Sequence, residues 1–382
     1  MKKDIFKLNS AIACLAIIAS ICAARPTLAD TLVVKGEGGN VSLEGEVLHE
    51  ALDRSMVFET TDGQLHIFTA KDIVSLNREE DALPPMNHEE LGKSLIADLP
   101  KGFKTLCTEN YVIAYKTELD YAKWIGKLYE KRLISEFQKF AKSKLRYKLS
   151  DSKFPLAIVV FGSRPEYDRY AARELGATPG TMIAHYSQLT NRVAMYDLTF
   201  DVGGGVERKL DEVLKKPDAI PMVTTIIHEA THQLMFNRGM QVRLADAPLW
   251  LNEGIANWFE TPNLKNNNGW TRPGLVNQLR LRQLGKYLPD RPANSIETLI
   301  ANDDRFSFEG DTAFNAYAES WALVHFLLKR KRNEFREYLK TVSKKRPGFE
   351  VDDETRLKDF ANHFGDLQKL DKAFMKYIRT LR

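Results

Sequence analysis

Two of the chain's 8 histidines stand four apart in the segment Pro221-Met-Val-Thr-Thr-Ile-Ile-His-Glu-Ala-Thr-His-Gln-Leu-Met-Phe-Asn-Arg-Gly239. At that spacing His228 and His232 leave one face of a helix one turn apart, so both imidazoles can reach a single zinc ion. Glu229 stands between them. It is too close in sequence to be a third ligand with good geometry, but it is well placed to take a proton from a water that the ion activates. The plain alternative is a pair of core histidines. Burying two imidazoles and a carboxylate on a mainly apolar helix is costly without partners, and a metal removes that cost. A third ligand is at hand in Glu253, with 20 residues between it and His232. Two His and one Glu, leaving a fourth position open to water, make the donor set of a catalytic zinc. A carboxylate near a helix N-terminus is also favoured by the helix dipole, so Glu253 has a structural reason to be there as well. Glu260 competes for the ligand role, but it lies two turns further on and ranks below Glu253.

Two helices must carry this set. Pro221 suits a first helical turn and Gly239 a C-cap. Ile226, Ile227, Ala230 and Leu234 give the first helix apolar sides, which predicts burial. The second helix runs from Trp250 to Glu260, with Pro248 near its start and Leu251, Ile255, Trp258 and Phe259 as contacts. An antiparallel return brings Glu253 over the first helix. Upstream, Tyr111-Val-Ile-Ala-Tyr reads as a strand and Leu119 to Leu145 as an amphipathic helix. Leu156-Ala-Ile-Val-Val-Phe161 reads as a central strand, Pro165 to Leu175 as a helix, and Met182 to Leu198 as two short strands around Thr190-Asn191. Beyond Pro221 nearly everything reads as helix. In residues 31–78 the strand-like runs are Thr31-Leu-Val-Val, Ser55 to Thr60 and Gln64 to Phe68, and Asp62-Gly63 is a hairpin signal. The expected fold class is α+β. A small β accessory domain (30–78) and a polar linker with one short helix (79–100) precede a catalytic domain (101–382), whose αβ part is 101–239 and whose helical part is 240–382. His49 and His66 are isolated and read as surface or core histidines.

At the site residues the sequence resembles the gluzincin metallopeptidases. Their pattern sets HExxH on one helix and a ligand Glu, within Asn-Glu-Gly-x-Ala, on the next; here these are His228, Glu229, His232 and Asn252-Glu253-Gly254-Ile255-Ala256. The chain is more closely similar to the DUF1570 family of exported bacterial proteins. That likeness rests on Pro155-Leu-Ala-Ile-Val-Val-Phe, His228-Glu-Ala-Thr-His-Gln, Trp250-Leu-Asn-Glu-Gly-Ile-Ala and Tyr317-Ala-Glu-Ser-Trp-Ala-Leu-Val-His-Phe-Leu, over roughly 100–345. The resemblance implies a zincin-like catalytic domain with a small mixed sheet and an active-site helix, Zn²⁺ as cofactor, and a peptide or protein substrate. It implies an acidic residue four after the ligand Glu. This chain has Asn257 there, able to accept from a histidine N–H but without the charge that raises ligand basicity. It also implies an oxyanion-stabilising Tyr or His on a later helix. Tyr317 is the candidate, with His325 behind it, although Tyr317, Trp321, Val324 and Leu328 equally fit an apolar stripe. An edge strand above the active-site helix is expected to hold extended peptide, either Met182-Ile-Ala-His-Tyr186 or Asn191-Arg-Val-Ala-Met-Tyr196. His185 reads first as a strand-face residue and second as a substrate contact.

With 43% hydrophobic and 28% charged residues, the composition excludes a disordered chain, a collagen-like fibre and a disulfide miniprotein. Four of the 55 basic and one of the 51 acidic residues fall within the first 29 positions, so most of the net +4 belongs there and a nucleic-acid partner loses its support. Lys2, Lys3 and Lys7 precede an uncharged apolar run from Leu8 to Ala24, and Thr27-Leu28-Ala29 offers small residues for cleavage before Asp30. Residues 1–29 therefore read as an export signal, with an uncleaved anchor as the alternative. No later stretch is apolar enough to span a bilayer, so no membrane span is expected after cleavage. Only Cys107 remains outside the signal; it reads as a small buried hydrophobe with no disulfide. The expected function is an exported zinc-dependent peptidase, periplasmic, cell-envelope or secreted. The alternative is a zincin-fold binding or scaffold protein with weak or no catalysis. Peptide specificity, endo- versus exopeptidase action and oligomeric state are not encoded in these patterns.

Overall fold

Short β-branched runs broken by Gly and Asp-Gly turns build the first sheet. The computed structural model describes residues 29–79, 84–176, 180, 182–199, 210–214, 216, 219–261, 270, 273–307 and 310–381. The export-signal expectation falls on residues 1–28, which lie outside the described residues. Strands β1 (Ala29–Gly36), β2 (Gly39–Glu50), β3 (Met56–Thr60), β4 (Leu65–Phe68) and β5 (Ile73–Glu79) form an antiparallel sheet in the order β4-β3-β2-β1-β5. Leu32, Val34, Met56 and Phe58 give it a small core of its own. The Asp62-Gly63 turn joins β3 to β4, with Thr60 N–H donating to Gln64 O at 2.9 Å.

The short helix expected before the second sheet is α1 (His88–Asp98). Asn87 and Glu90 cap it reciprocally, and Leu91 and Leu95 pack into the main core. The second sheet contains β6 (Lys104–Cys107), β7 (Tyr111–Tyr115), β8 (Leu156–Phe161), β9 (Ala184–Tyr186) and β10 (Arg192–Tyr196), in the order β6-β7-β8-β10-β9. The β7–β8 and β8–β10 pairs are parallel, and the two outer pairs are antiparallel. Helix α2 (119–145) crosses from β7 to β8, and its α-helical stretches alternate with π-helical turns at Leu128–Leu133 and Phe140–Leu145. All six residues of β8 are buried, as their uniform apolarity requires of a central strand. Cys107 corrects the sequence expectation: it is exposed, because β6 is an edge strand that turns most of its side chains outward.

Helix α3 (Arg164–Leu175) follows β8, and α4 (Ala219–Asn237) packs against the sheet. The Gln233 amide ties α4 to the strands, donating to Ala157 O at 3.0 Å and Asn191 O at 2.9 Å. The Tyr129 hydroxyl on α2 donates to Ile226 O at 2.9 Å. Gly239, at φ 77°, ends the helix in the left-handed conformation that glycine adopts without strain. The remainder is helical: α5 (Leu249–Phe259), α6 (Gln278–Tyr287), α7 (Ser295–Ala301), α8 (Asp311–Arg330), α9 (Arg332–Val342), α10 (Asp353–Phe364) and α11 (Leu367–Ile378). The architecture is therefore α+β, with two small sheets. No helix among the described residues is long and apolar enough to cross a membrane. The first sheet meets the rest through Arg243, whose buried guanidinium donates to Gly63 O (2.8 Å), Gln188 O (3.1 Å) and Glu59 Oε1 (2.6 Å).

Candidate metal centre

His228 and His232 leave the same side of α4, with ring centroids 4.8 Å apart. Helix α5 lies across them because its own packing demands it. A Cβ at Gly254 would stand 2.7 Å from Ser320 O, so only glycine lets α5 approach α8 this closely. Asp303 Oδ1 accepts the Leu249 N–H at 2.9 Å and fixes the start of the helix. The result is that Glu253 faces both imidazoles: its Oε2 lies 3.0 Å from His228 Nε2, and its Oε1 lies 3.6 Å from His232 Nε2. One donor atom from each of the three residues falls within 4.8 Å of the other two, a set that could hold a metal ion. Three nitrogen and oxygen donors on two rigid helices fit a divalent ion of zinc type.

The electrostatics are those of a site short of positive charge. Burial alone would depress the His228 imidazole, but its hydrogen bonds to the Glu253 and Glu260 carboxylates hold it well above its ordinary value. Burial pushes His232 down to about 4. Burial would raise Glu253, but His232 and His228 beside it keep it below the usual carboxylate range. Burial pushes Glu229 up to about 7. Its Oε2 accepts the Tyr186 N–H at 2.8 Å, so the last residue of the edge strand β9 orients this carboxylate. All of these groups border one cavity of about 340 Å³, to which Tyr317 of α8 and Arg280 of α6 also contribute.

The sequence missed one partner and misassigned another. Asn257 does not meet a histidine. Its Nδ2 donates to Glu253 O within its own helix (2.6 Å), and its Oδ1 accepts from Arg280 Nε (2.6 Å). The carboxylate that meets the far nitrogen of His228 is Glu260, whose Oε2 lies 2.8 Å from Nδ1. Burial would raise Glu260, but the Arg280 guanidinium and His228 pull it down to about 2. Asn277 Nδ2 (3.2 Å) and Arg280 Nη2 (3.3 Å) hold its other oxygen. The signal available was the seven-residue spacing from Glu253, two turns along the same helical face. Tyr317 borders the cavity; the Glu253 charge and burial hold its phenol above the ordinary value, and Arg280 lies 5.3 Å over its ring. His325 is elsewhere, bonded to the Tyr377 hydroxyl at 2.7 Å and packed on Trp258 and Trp321. His185 is buried between Glu174 (2.7 Å) and the Tyr167 hydroxyl (3.0 Å), which removes it from substrate contact. Of the two strands considered for the edge, β9 is the edge and β10 is interior.

Residues 222–349 match the family described as "Protein of unknown function (DUF1570)". The match takes in every cavity group named above except Tyr186. It excludes both sheets, so Pro155-Leu-Ala-Ile-Val-Val-Phe, part of the expected likeness, lies outside it. No curated protein matches the chain.

Proposed function

We propose that this protein is an exported, zinc-dependent peptidase of zincin-like fold. The observation that carries the reading is the convergence of His228, His232 and Glu253, with donor atoms within 4.8 Å of one another, on a cavity that also receives Glu229. These three residues would hold the zinc, which when bound supplies a Lewis acid that polarises a carbonyl and eases proton loss from water.

The chain's own groups do the rest. Glu229 has one oxygen held by the Tyr186 N–H and borders the cavity, so its other oxygen serves as the base that takes a proton from the attacking water. Burial pushes the Glu229 carboxyl up to about 7, which makes it basic enough to carry that proton to the leaving amine. Tyr317 keeps its hydroxyl proton and can donate it as a hydrogen bond to the developing oxyanion. Glu260 accepts from His228 Nδ1, which sets that ring's tautomer and leaves Nε2 for the metal. An extended peptide laid along β9 would cross the cavity beside Tyr186. The basic start and apolar run of residues 1–29 support export.

Glu229→Gln should keep its zinc and lose peptide hydrolysis by roughly 10²–10⁴-fold, the usual contribution of a positioned base. A scanned peptide library digested by wild type and variant reads this out, and unchanged cleavage by the variant would remove Glu229 from the chemistry.

A further inference from the structure

Arg280 is the one fixed cation among the described residues bordering the cavity. It is held from three sides. Its Nε donates to Asn257 Oδ1 at 2.6 Å, its Nη2 lies 3.3 Å from Glu260 Oε1, and its Cζ stands 5.3 Å over the Tyr317 ring. Among the described residues, Nη1 has no hydrogen-bond partner, and the side chain retains 23% exposure. The cavity's carboxylates are already engaged. Glu229 accepts from Tyr186 N–H, Glu253 faces the two imidazoles, and Glu260 bridges His228 and Arg280. An oriented guanidinium with an open edge is the complement of a planar anion, and carboxylate is the planar anion that peptides carry.

The geometry points to Arg280 as a specificity residue that receives a substrate carboxylate in this cavity. The inference rests on the peptidase reading for its choice of ligand class. Two sources share the chemistry: the α-carboxylate of a peptide C-terminus and an Asp or Glu side chain beside the scissile bond. The first would make the enzyme a carboxypeptidase, the second an acid-selective endopeptidase. A role limited to clamping Glu260 is the competing account, and it predicts no dependence on substrate charge.

The test is equilibrium binding by calorimetry to the full chain carrying Glu229→Gln and loaded with zinc, so that bound peptide persists. Four matched N-acetyl pentapeptides serve as probes, with Glu or Gln inside and a free acid or an amide at the end. The expected result is binding about ten- to hundredfold tighter for one of the two carboxylate types, the range of a charge-assisted hydrogen bond; the type that gains names the source. Adding Arg280→Met should erase that difference, and Arg280→Lys should restore part of it. Zinc content and thermal unfolding confirm that each variant is loaded and folded. Equal binding of all four peptides overturns the inference. So does a preference that survives Arg280→Met, or a loss in that variant that is the same for every peptide. If wild type cleaves no peptide but the carboxylate-dependent binding and its loss in Arg280→Met are found, the peptidase reading fails and the anion site stands.

Discussion

Two of the buried carboxylate clusters among the described helices are neutralised in opposite ways. Glu319 on α8 is fully buried. It takes Arg291 Nε at 2.7 Å and Arg305 Nη2 at 2.8 Å, with the Ser295 hydroxyl at 2.7 Å, and Arg291 in turn pairs with Asp371. Two arginines face two carboxylates and nothing is outstanding. At the other cluster Glu229, Glu253 and Glu260 share one cavity with a single arginine and two imidazoles. A cluster closed by fixed cations is a structural staple. One left short of positive charge, with its donors converging, suits the added cation of the proposed zinc site.

The contrast breaks most easily at the staple. Glu319→Gln leaves Arg305 without a carboxylate and Arg291 with Asp371 alone, and should cost roughly 3–5 kcal/mol of stability, whether or not zinc is present. Urea unfolding measures this, and a loss no larger than that of a surface substitution would undo the distinction. Zinc should sharpen the contrast from the other side. At a hundred times its dissociation constant it should stabilise the wild-type chain by about 2.7 kcal/mol. Glu319→Gln should gain the same increment, and Glu253→Gln should gain none. A smaller effect belongs to Glu260→Gln, which should weaken zinc affinity about 10–100-fold by loosening His228, as read by competition with a chelator. The smallest belongs to Asn257→Ala, which should leave zinc affinity unchanged in the same titration. A loss there matching that of Glu260→Gln would return Asn257 to the role the sequence gave it.

What could be read in advance follows from how far each signal reaches along the chain. His228, Glu229 and His232 share one helix, so their spacing alone sets the two imidazoles on one face with the carboxylate beside them. Strand β8 was legible because all six of its residues are apolar. Strand β2 was not: half of its residues are exposed and only one is buried, so it carries little hydrophobic alternation, and its register slips near Val47. The π-helical turns of α2 leave the apolar stripe intact and so leave no mark in the pattern. Asn257 was misassigned because the spacing rule was borrowed from a likeness, whereas the helix face turns Glu260 toward His228 Nδ1. Arg280 was out of reach altogether, since its place depends on how α6 docks beside α5, which no local spacing encodes. His185 looked partnerless for the same reason: Glu174 reaches it from another element.

The central claim is that His228, His232 and Glu253 hold one ion together. Elemental analysis of purified, zinc-equilibrated chains tests it directly. One zinc per wild-type chain is expected, and none retained by His232→Ala or by Glu253→Gln. Full zinc content in either variant, or a wild-type chain that binds none, would contradict it.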